Sequence, residues 1–150
     1  MGLKALESWL GRQRRIALDT NIFIYQWTPN PKYVQFTDFL FLWINSGTSR
    51  AITSTITMTE LLVHPLRNAD EKQADQLFAL LSTWPRMEWI APDLQIAALA
   101  AELRAQHGLR TPDALHAATA VRAGATGIVT NDPVFRRVTR IETLVLDELL

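Results

Sequence analysis

The 150-residue chain contains no cysteine, which rules out both a disulfide framework and a thiolate metal centre and makes a reducing interior, the cytoplasm, the expected compartment. It has no apolar run approaching the ~20 residues that a spanning helix needs, so no membrane insertion is expected. The N-terminus offers no signal-peptide core either, because Lys4 and Glu7 interrupt its leucines and Arg12, Arg14 and Arg15 follow. An excess of either charge is also missing. Fifteen Lys and Arg balance fifteen Asp and Glu, which speaks against a general nucleic-acid coating protein and leaves room for a local basic rim. No repeat, low-complexity stretch or Gly/Ser-rich linker divides the chain, and its length suits one domain over 1–150, with 1–15 as an N-terminal helical extension.

What is present is apolar periodicity, in a chain that is 48% hydrophobic. Leu3, Leu6 and Leu10 mark a short amphipathic helix, and Ile16-Ala17-Leu18 reads as a buried strand that ends at Asp19. Tyr33, Phe36, Leu40, Trp43 and Ile44 predict a helix over 32–45, stopped by Ser46-Gly47. A strand at 51–53 follows, then a helix capped by Thr55 that ends near His64-Pro65, a helix over 70–81 and a strand over 87–90. Asp93 opens a helix closed at Gly108, and Thr111-Pro112-Asp113 starts another that runs to about Ala123. Strands at 127–130 and 143–146 complete an alternating pattern, which is α/β with a parallel sheet covered on both faces.

In such a sheet ligands collect at the carboxyl ends of the strands. Asp19-Thr20-Asn21, Asp113 and Thr130-Asn131-Asp132 fall at those ends or at helix starts facing them, and Glu60 sits on the helix after the second strand. Taken singly, each acid has an ordinary structural role open to it: a helix cap for Asp19, a helix-dipole partner for Asp113, a turn for Asp132-Pro133. Glu60, however, shares a face with Ile56 and Val63 and has no Lys or Arg in the neighbouring turns, while Asp113 begins an almost wholly apolar helix. Carboxylates brought together raise one another's pKa, and divalent cations remove that conflict. Oxygen donors suit Mg²⁺ or Mn²⁺, whereas the missing cysteines and the poor spacing of His64, His107 and His116 disfavour zinc. His116, one turn beyond Asp113, is placed where it could look into the site, though the reading preferred is a core histidine.

The run Ile16-Ala17-Leu18-Asp19-Thr20-Asn21, then Thr59-Glu60-Leu61-Leu62, then Thr111-Pro112-Asp113-Ala114-Leu115-His116-Ala117-Ala118-Thr119-Ala120, and last Val129-Thr130-Asn131-Asp132 resembles, in order and over most of the chain, the PIN-domain nucleases, and within them the toxin component of VapBC toxin-antitoxin modules. The resemblance implies a three-layer α/β/α sandwich with a mostly parallel central sheet. It also implies a metal-dependent endoribonuclease in which Asp19, Glu60, Asp113 and Asp132 hold the metal, supported by Thr20, Asn21 and Thr130. The chain departs from the family in its longer segment before Ile16 and in Pro133 after Asp132. Arg110, Arg136 and Arg137, beside the motifs, are the expected phosphate-binding cations. Phe39, Phe41 and Leu42 make the 32–45 helix apolar beyond one face; the excess serves a homodimer contact or an antitoxin peptide if it is not simply core. Two other functions compete: a housekeeping PIN nuclease of RNA processing, which would carry the same acids, and a non-catalytic RNA- or protein-binding module.

Overall fold

Strands β1 (Arg15–Leu18), β2 (Arg50–Ser54), β3 (Met87–Ile90), β4 (Gly127–Thr130) and β5 (Glu142–Val145) pair in the order β3-β2-β1-β4-β5, every neighbour parallel. This architecture comes from a computed structural model that describes residues 2–47 and 50–150. Among the described residues, seven helices surround the sheet: α1 (Gly2–Gly11), α2 (Thr20–Trp27), α3 (Val34–Asn45), α4 (Thr55–Arg67), α5 (Glu71–Ser82), α6 (Leu94–His107) and α7 (Thr111–Arg122). Two short 3-10 turns follow, Pro133–Arg137 after β4 and Leu146–Leu149 after β5. The expected α/β/α layering is therefore present, and the sheet is wholly parallel.

Strand alternation explains the two cores. Ile16, Leu18 and Ala51 face one side and pack with residues of α1, α2 and α3, while Ala17, Ile52 and Ile128 face the other and pack with α6 and α7. A strand buried on both faces must be apolar throughout, which is why these segments read as short hydrophobic runs. On the first side an aromatic cluster ties α2 to α3: Phe23 meets Phe41 edge-on at 5.6 Å, and Trp27 meets Phe41 at 4.9 Å and Trp84 at 5.3 Å. Phe23 is fully buried, a contribution of about 1.5–3 kcal/mol by area alone.

The N-terminal segment is part of this core. Leu6, Trp9 and Leu10 of α1 are buried, and Trp9 lies so close to β4 that a Cβ at Gly127 would come within 2.6 Å of its ring. Gln13, after α1, donates to Glu142 at 2.8 Å and accepts from Thr126 at 2.7 Å, joining the segment to the starts of β4 and β5. Gly108 closes α6 at φ +67°, the left-handed cap expected there.

Two local readings change. Proline does not stop α4, because Pro65 lies in its last turns and the helix continues to Arg67; the freed chain end is held by Asn68 N–H on the His64 carbonyl and Asp70 N–H on that of Pro65. The apolar excess of α3 is mostly core: Phe36, Leu40, Phe41 and Ile44 are buried, and only Leu42, 70% exposed, stands fully out. Among the described residues, no helix is long and apolar enough to cross a membrane.

Sheet order also fixes where a site can form. The chain lays β2 and β3 to one side of β1, then crosses to place β4 and β5 on the other, so the connections leaving the carboxyl ends of β1 and β4 diverge. A crevice opens at such a switch point.

Candidate active site

Asp19 leaves β1 directly into this crevice. Its backbone N–H still bonds to the Val129 carbonyl of β4, and its side chain caps α2, Oδ1 accepting from Thr20 N–H at 2.8 Å. Oδ2 accepts from Thr130 Oγ1 at 2.7 Å, across the β1/β4 gap. The residue is 7% exposed, and burial pushes its carboxyl above the ordinary aspartate range against the opposing charge of His116, the Thr130 hydroxyl and the Thr20 N–H; the charge of Asp113 adds to the rise. The side chain that caps α2 thus also ties β1 to β4.

Asp113 arrives on the first turn of α7, where Pro112 starts the helix. Its side chain is 13% exposed, and the Arg110 Nε stands 3.4 Å from Oδ2. Asp132 follows β4; its N–H donates to Thr130 Oγ1 at 3.0 Å, and its Oδ1 accepts from Val134 N–H at 3.0 Å, capping the 3-10 turn. Thr130 therefore links Asp19 and Asp132 through one hydroxyl.

Glu60 reaches the same edge from α4. Its Oε1 accepts from Thr20 Oγ1 at 2.8 Å and lies 2.8 Å from His116 Nε2. That hydrogen bond from His116 is the main reason its carboxyl is held below the usual glutamate range, against partial burial and with help from Thr20. His116, 5% exposed and one turn below Asp113 on α7, also stands 3.4 Å from Thr20 Oγ1. A histidine expected in the core thus belongs to the acid cluster. The i, i+3 spacing from Asp113 put it on the right helix face, but its meeting with a residue 56 positions away leaves no local pattern. It also supplies the partner that the sequence near Glu60 lacks.

Thr130 thus joins Asp19 to the backbone of Asp132, Thr20 and His116 meet at Glu60, and the charges of His116 and Asp113 both act on Asp19, while the Asp132 carboxylate caps its own turn. Among the described residues, no three His, Asp or Glu side chains stand as a ready-made metal cage. The donor chemistry nonetheless fits a hard cation. Asp19 is a buried carboxylate whose ionisation is opposed by its surroundings, Asp113 is near enough to be felt by it, and Asn21 Oδ1 is buried with no hydrogen-bond partner among the described residues.

The arginines divide. Arg110 stands beside Asp113 and its charge reaches Glu60. Arg136 instead pairs with Glu148 through both terminal nitrogens, and Arg137 Nη1 donates to the His107 carbonyl at 3.0 Å. Both contacts hold the chain to itself.

Against known proteins, the PIN domain family model matches residues 16–141. Similar solved structures include a DNA-bound VapBC from Salmonella typhimurium (24% identity, 88% of this chain and 98% of that one, TM-score 0.66). VapBC2 from Rickettsia felis, bound to a promoter DNA fragment, is 23% identical over 87% of this chain and 98% of its own, with a TM-score of 0.66. FitAcB from Neisseria gonorrhoeae is 24% identical over 86% and 96%, with a TM-score of 0.62. At these identities the structures share the fold. No curated protein sequence matches the chain.

Proposed function

This chain belongs to the PIN domain family, and on that footing we propose that it is a divalent-metal-dependent endoribonuclease, the toxin of a type II toxin-antitoxin pair that acts in the cytoplasm. One observation carries the reading: a buried aspartate at the switch point of the sheet, its two oxygens fixed by the Thr20 N–H and the Thr130 hydroxyl, with the charges of His116 and Asp113 both acting on its carboxylate.

Asp19 and Asp113 would hold Mg²⁺ or Mn²⁺, with Glu60 and Asp132 completing the set and Asn21 at its margin. Such a cation, when bound, lowers the pKa of a water molecule and offsets charge that builds on a phosphodiester. The chain's own contribution is orientation. Thr130 and the Thr20 N–H each fix one oxygen of Asp19, so its carboxylate presents a set direction. His116 Nε2 and Thr20 Oγ1 converge on Glu60 Oε1 and favour its ionised form. Arg110, with its side chain 79% exposed, is placed to meet a backbone phosphate next to Asp113.

The antitoxin finds a surface beside these residues. A cavity of about 470 Å³ opens between α2, α4 and α5, lined by Ile24, Trp27, Leu61, Leu77 and Leu80, and Glu60 forms part of its wall. Ile24 and Leu80 are 44% and 42% exposed, so the groove suits the apolar face of an amphipathic helix. The VapBC and FitAcB likenesses support this partner. A homodimer, with Leu42 on α3 as its apolar contact, completes the proposed assembly.

The deciding experiment is cleavage of RNA by the purified chain with Mn²⁺, Mg²⁺ or chelator, alongside Asp113→Asn. Metal-dependent cleavage lost in the variant is expected, and cleavage of equal rate in the variant overturns the assignment. Metal should also raise Tm: at a hundred times Kd the stabilisation is about 2.7 kcal/mol, or roughly 5–10 °C for a domain of this size. Growth arrest on expression, relieved by an adjacent gene, separates a toxin from an RNA-processing enzyme.

A further inference from the structure

Asn131 sits between the two residues that bring β4 into the site, and its carboxamide bonds to two separate parts of the chain. Oδ1 accepts from Asp147 N–H at 2.8 Å, and Nδ2 donates to Tyr25 Oη at 3.1 Å. The amide orientation is fixed by chemistry, since a backbone N–H can only donate. Tyr25 lies on α2, the helix capped by Asp19, and Asp147 lies in the C-terminal 3-10 turn. One side chain therefore joins the Thr130–Asp132 segment to the element on the other side of the switch point and to the end of the described fold.

Both of these anchors are braced in turn. Tyr25 stacks on Tyr33 with centroids 4.4 Å apart, the Tyr33 hydroxyl donates to the Asp147 carboxylate, and Lys32 Nζ stands 3.3 Å from the same group. Glu148 of the turn pairs with Arg136, which follows Asp132. Leu146 is buried in the same core as Leu6 and Leu10, and the start of α1 is so close that a Cβ on Gly2 would fall 2.1 Å from the Leu149 carbonyl oxygen. Helix α1 and the C-terminal turn both lie outside the 16–141 segment that matches the family. They pack on each other and reach the site through Asp147 N–H.

We propose that Asn131 is a positioning residue for Thr130 and Asp132, and that the two terminal segments form a brace acting on the candidate site through it. Without Asn131, residues 131–132 lose their tie to α2 and to the Asp147 N–H, although Phe135, Arg136 and Arg137 still anchor the turn downstream, and the Thr130 hydroxyl that serves both Asp19 and Asp132 is held less firmly. The consequence for metal rests on the nuclease reading; the ordering of the segment does not.

Amide hydrogen exchange on the metal-free full chain tests the ordering, comparing wild type with Asn131→Ala and Tyr25→Phe. In Asn131→Ala the Asp132 and Val134 amides should exchange roughly ten-fold faster while those of Ile128 and Val129 stay unchanged, and Tyr25→Phe should show a smaller effect at the same positions. Calorimetric Mn²⁺ affinity should fall about ten-fold in Asn131→Ala. Exchange that accelerates equally along β4 would make Asn131 a general stability residue and overturn the proposal, as would unchanged exchange at Asp132 and Val134. If wild type takes up no Mn²⁺ while the exchange pattern appears as expected, the metal reading fails and the brace stands.

Discussion

The Thr130 hydroxyl lies 2.7 Å from Asp19 Oδ2 and 3.0 Å from the Asp132 backbone nitrogen, so a single oxygen donates to the end of β1 and accepts from the chain leaving β4. Both bonds are within the ordinary range for their types. They make Thr130, which is fully buried, the hinge pin between the two halves of the site.

Replacing Thr130 by valine keeps the shape and removes both bonds. It should cost about 2 kcal/mol, because it strips a hydrogen bond from a carboxylate and leaves a backbone N–H without its partner. Thr130→Ser should stay near wild type. Urea denaturation of the metal-free proteins checks this, and equal midpoints for valine and threonine would remove the hydroxyl from the argument.

Asp19 gives a stability that depends on pH with a definite sign. Its carboxyl is raised in the fold by burial, so the folded state favours the protonated form; that stability is present below the unfolded aspartate pKa and is lost as pH rises through the folded value. Asp19→Asn has no charge to lose. The metal-free variant should therefore gain on wild type as pH rises above the ordinary aspartate range, and Mn²⁺ should close the gap by stabilising wild type alone. Parallel stability curves above that range would contradict the buried, opposed carboxylate.

His116 acts on Glu60 in the opposite direction. Its hydrogen bond is the main cause of the lowered Glu60 pKa, so ionised Glu60 stabilises the fold above the ordinary glutamate range, and this is lost as pH falls through the lowered value. His116→Ala leaves Glu60 partly buried with Thr20 alone. Its carboxyl should move upward in a carbon-detected NMR titration, and metal affinity should fall about 10- to 100-fold, as when other supporting groups of a metal site are lost. An unmoved Glu60 titration would show that the 2.8 Å contact does not govern it.

Groove and acid cluster meet at Glu60, yet they should separate genetically. Ile24→Glu with Leu80→Glu places charge in the apolar channel at two exposed positions, without touching the core. If each is an anchor worth about 2 kcal/mol, the antitoxin should bind at least thirty-fold more weakly to either single variant. RNA cleavage by the free enzyme should be unaffected. Full inhibition of the double variant by the antitoxin would place its contact elsewhere.

Much of this arrangement was legible in the chain, for reasons of physics that differ by element. Strands β1 and β4 announced themselves because burial on both faces demands apolar residues, β2 and the half-buried edge strand β3 as short apolar stretches between helices, and α7 because Pro112 and Asp113 mark a helix start. Helix α2 was visible only as the thing Asp19 would cap. Its Ile22-Phe23-Ile24-Tyr25 run is β-branched and aromatic, with weak helix propensity, and the packing of Phe23 and Trp27 against Phe41 and Trp84 decides the matter. Pro65 misled in the same way, since a proline in the last turns of a packed helix is tolerated where one in isolation would end it.

At the site the distinction is between position and partnership. That Asp19, Asp113 and Asp132 lie at strand ends or helix starts follows from local order, but that His116 occupies the Glu60 carboxylate, or that Arg136 is held by Glu148, depends on contacts between distant segments. The phosphate role expected of three arginines is accordingly best placed for Arg110, the one that stands beside an acid of the cluster.

Placing β1 in the centre of the sheet with β4 as its neighbour has a consequence for synthesis. The Asp19–Thr130 bond closes a loop of 111 residues, and parallel pairing over such separations forms late and slowly. A polypeptide still emerging from the ribosome has its first aspartate long before its hydroxyl partner, so the two sides of the β1/β4 crevice can meet only after β4 has been made.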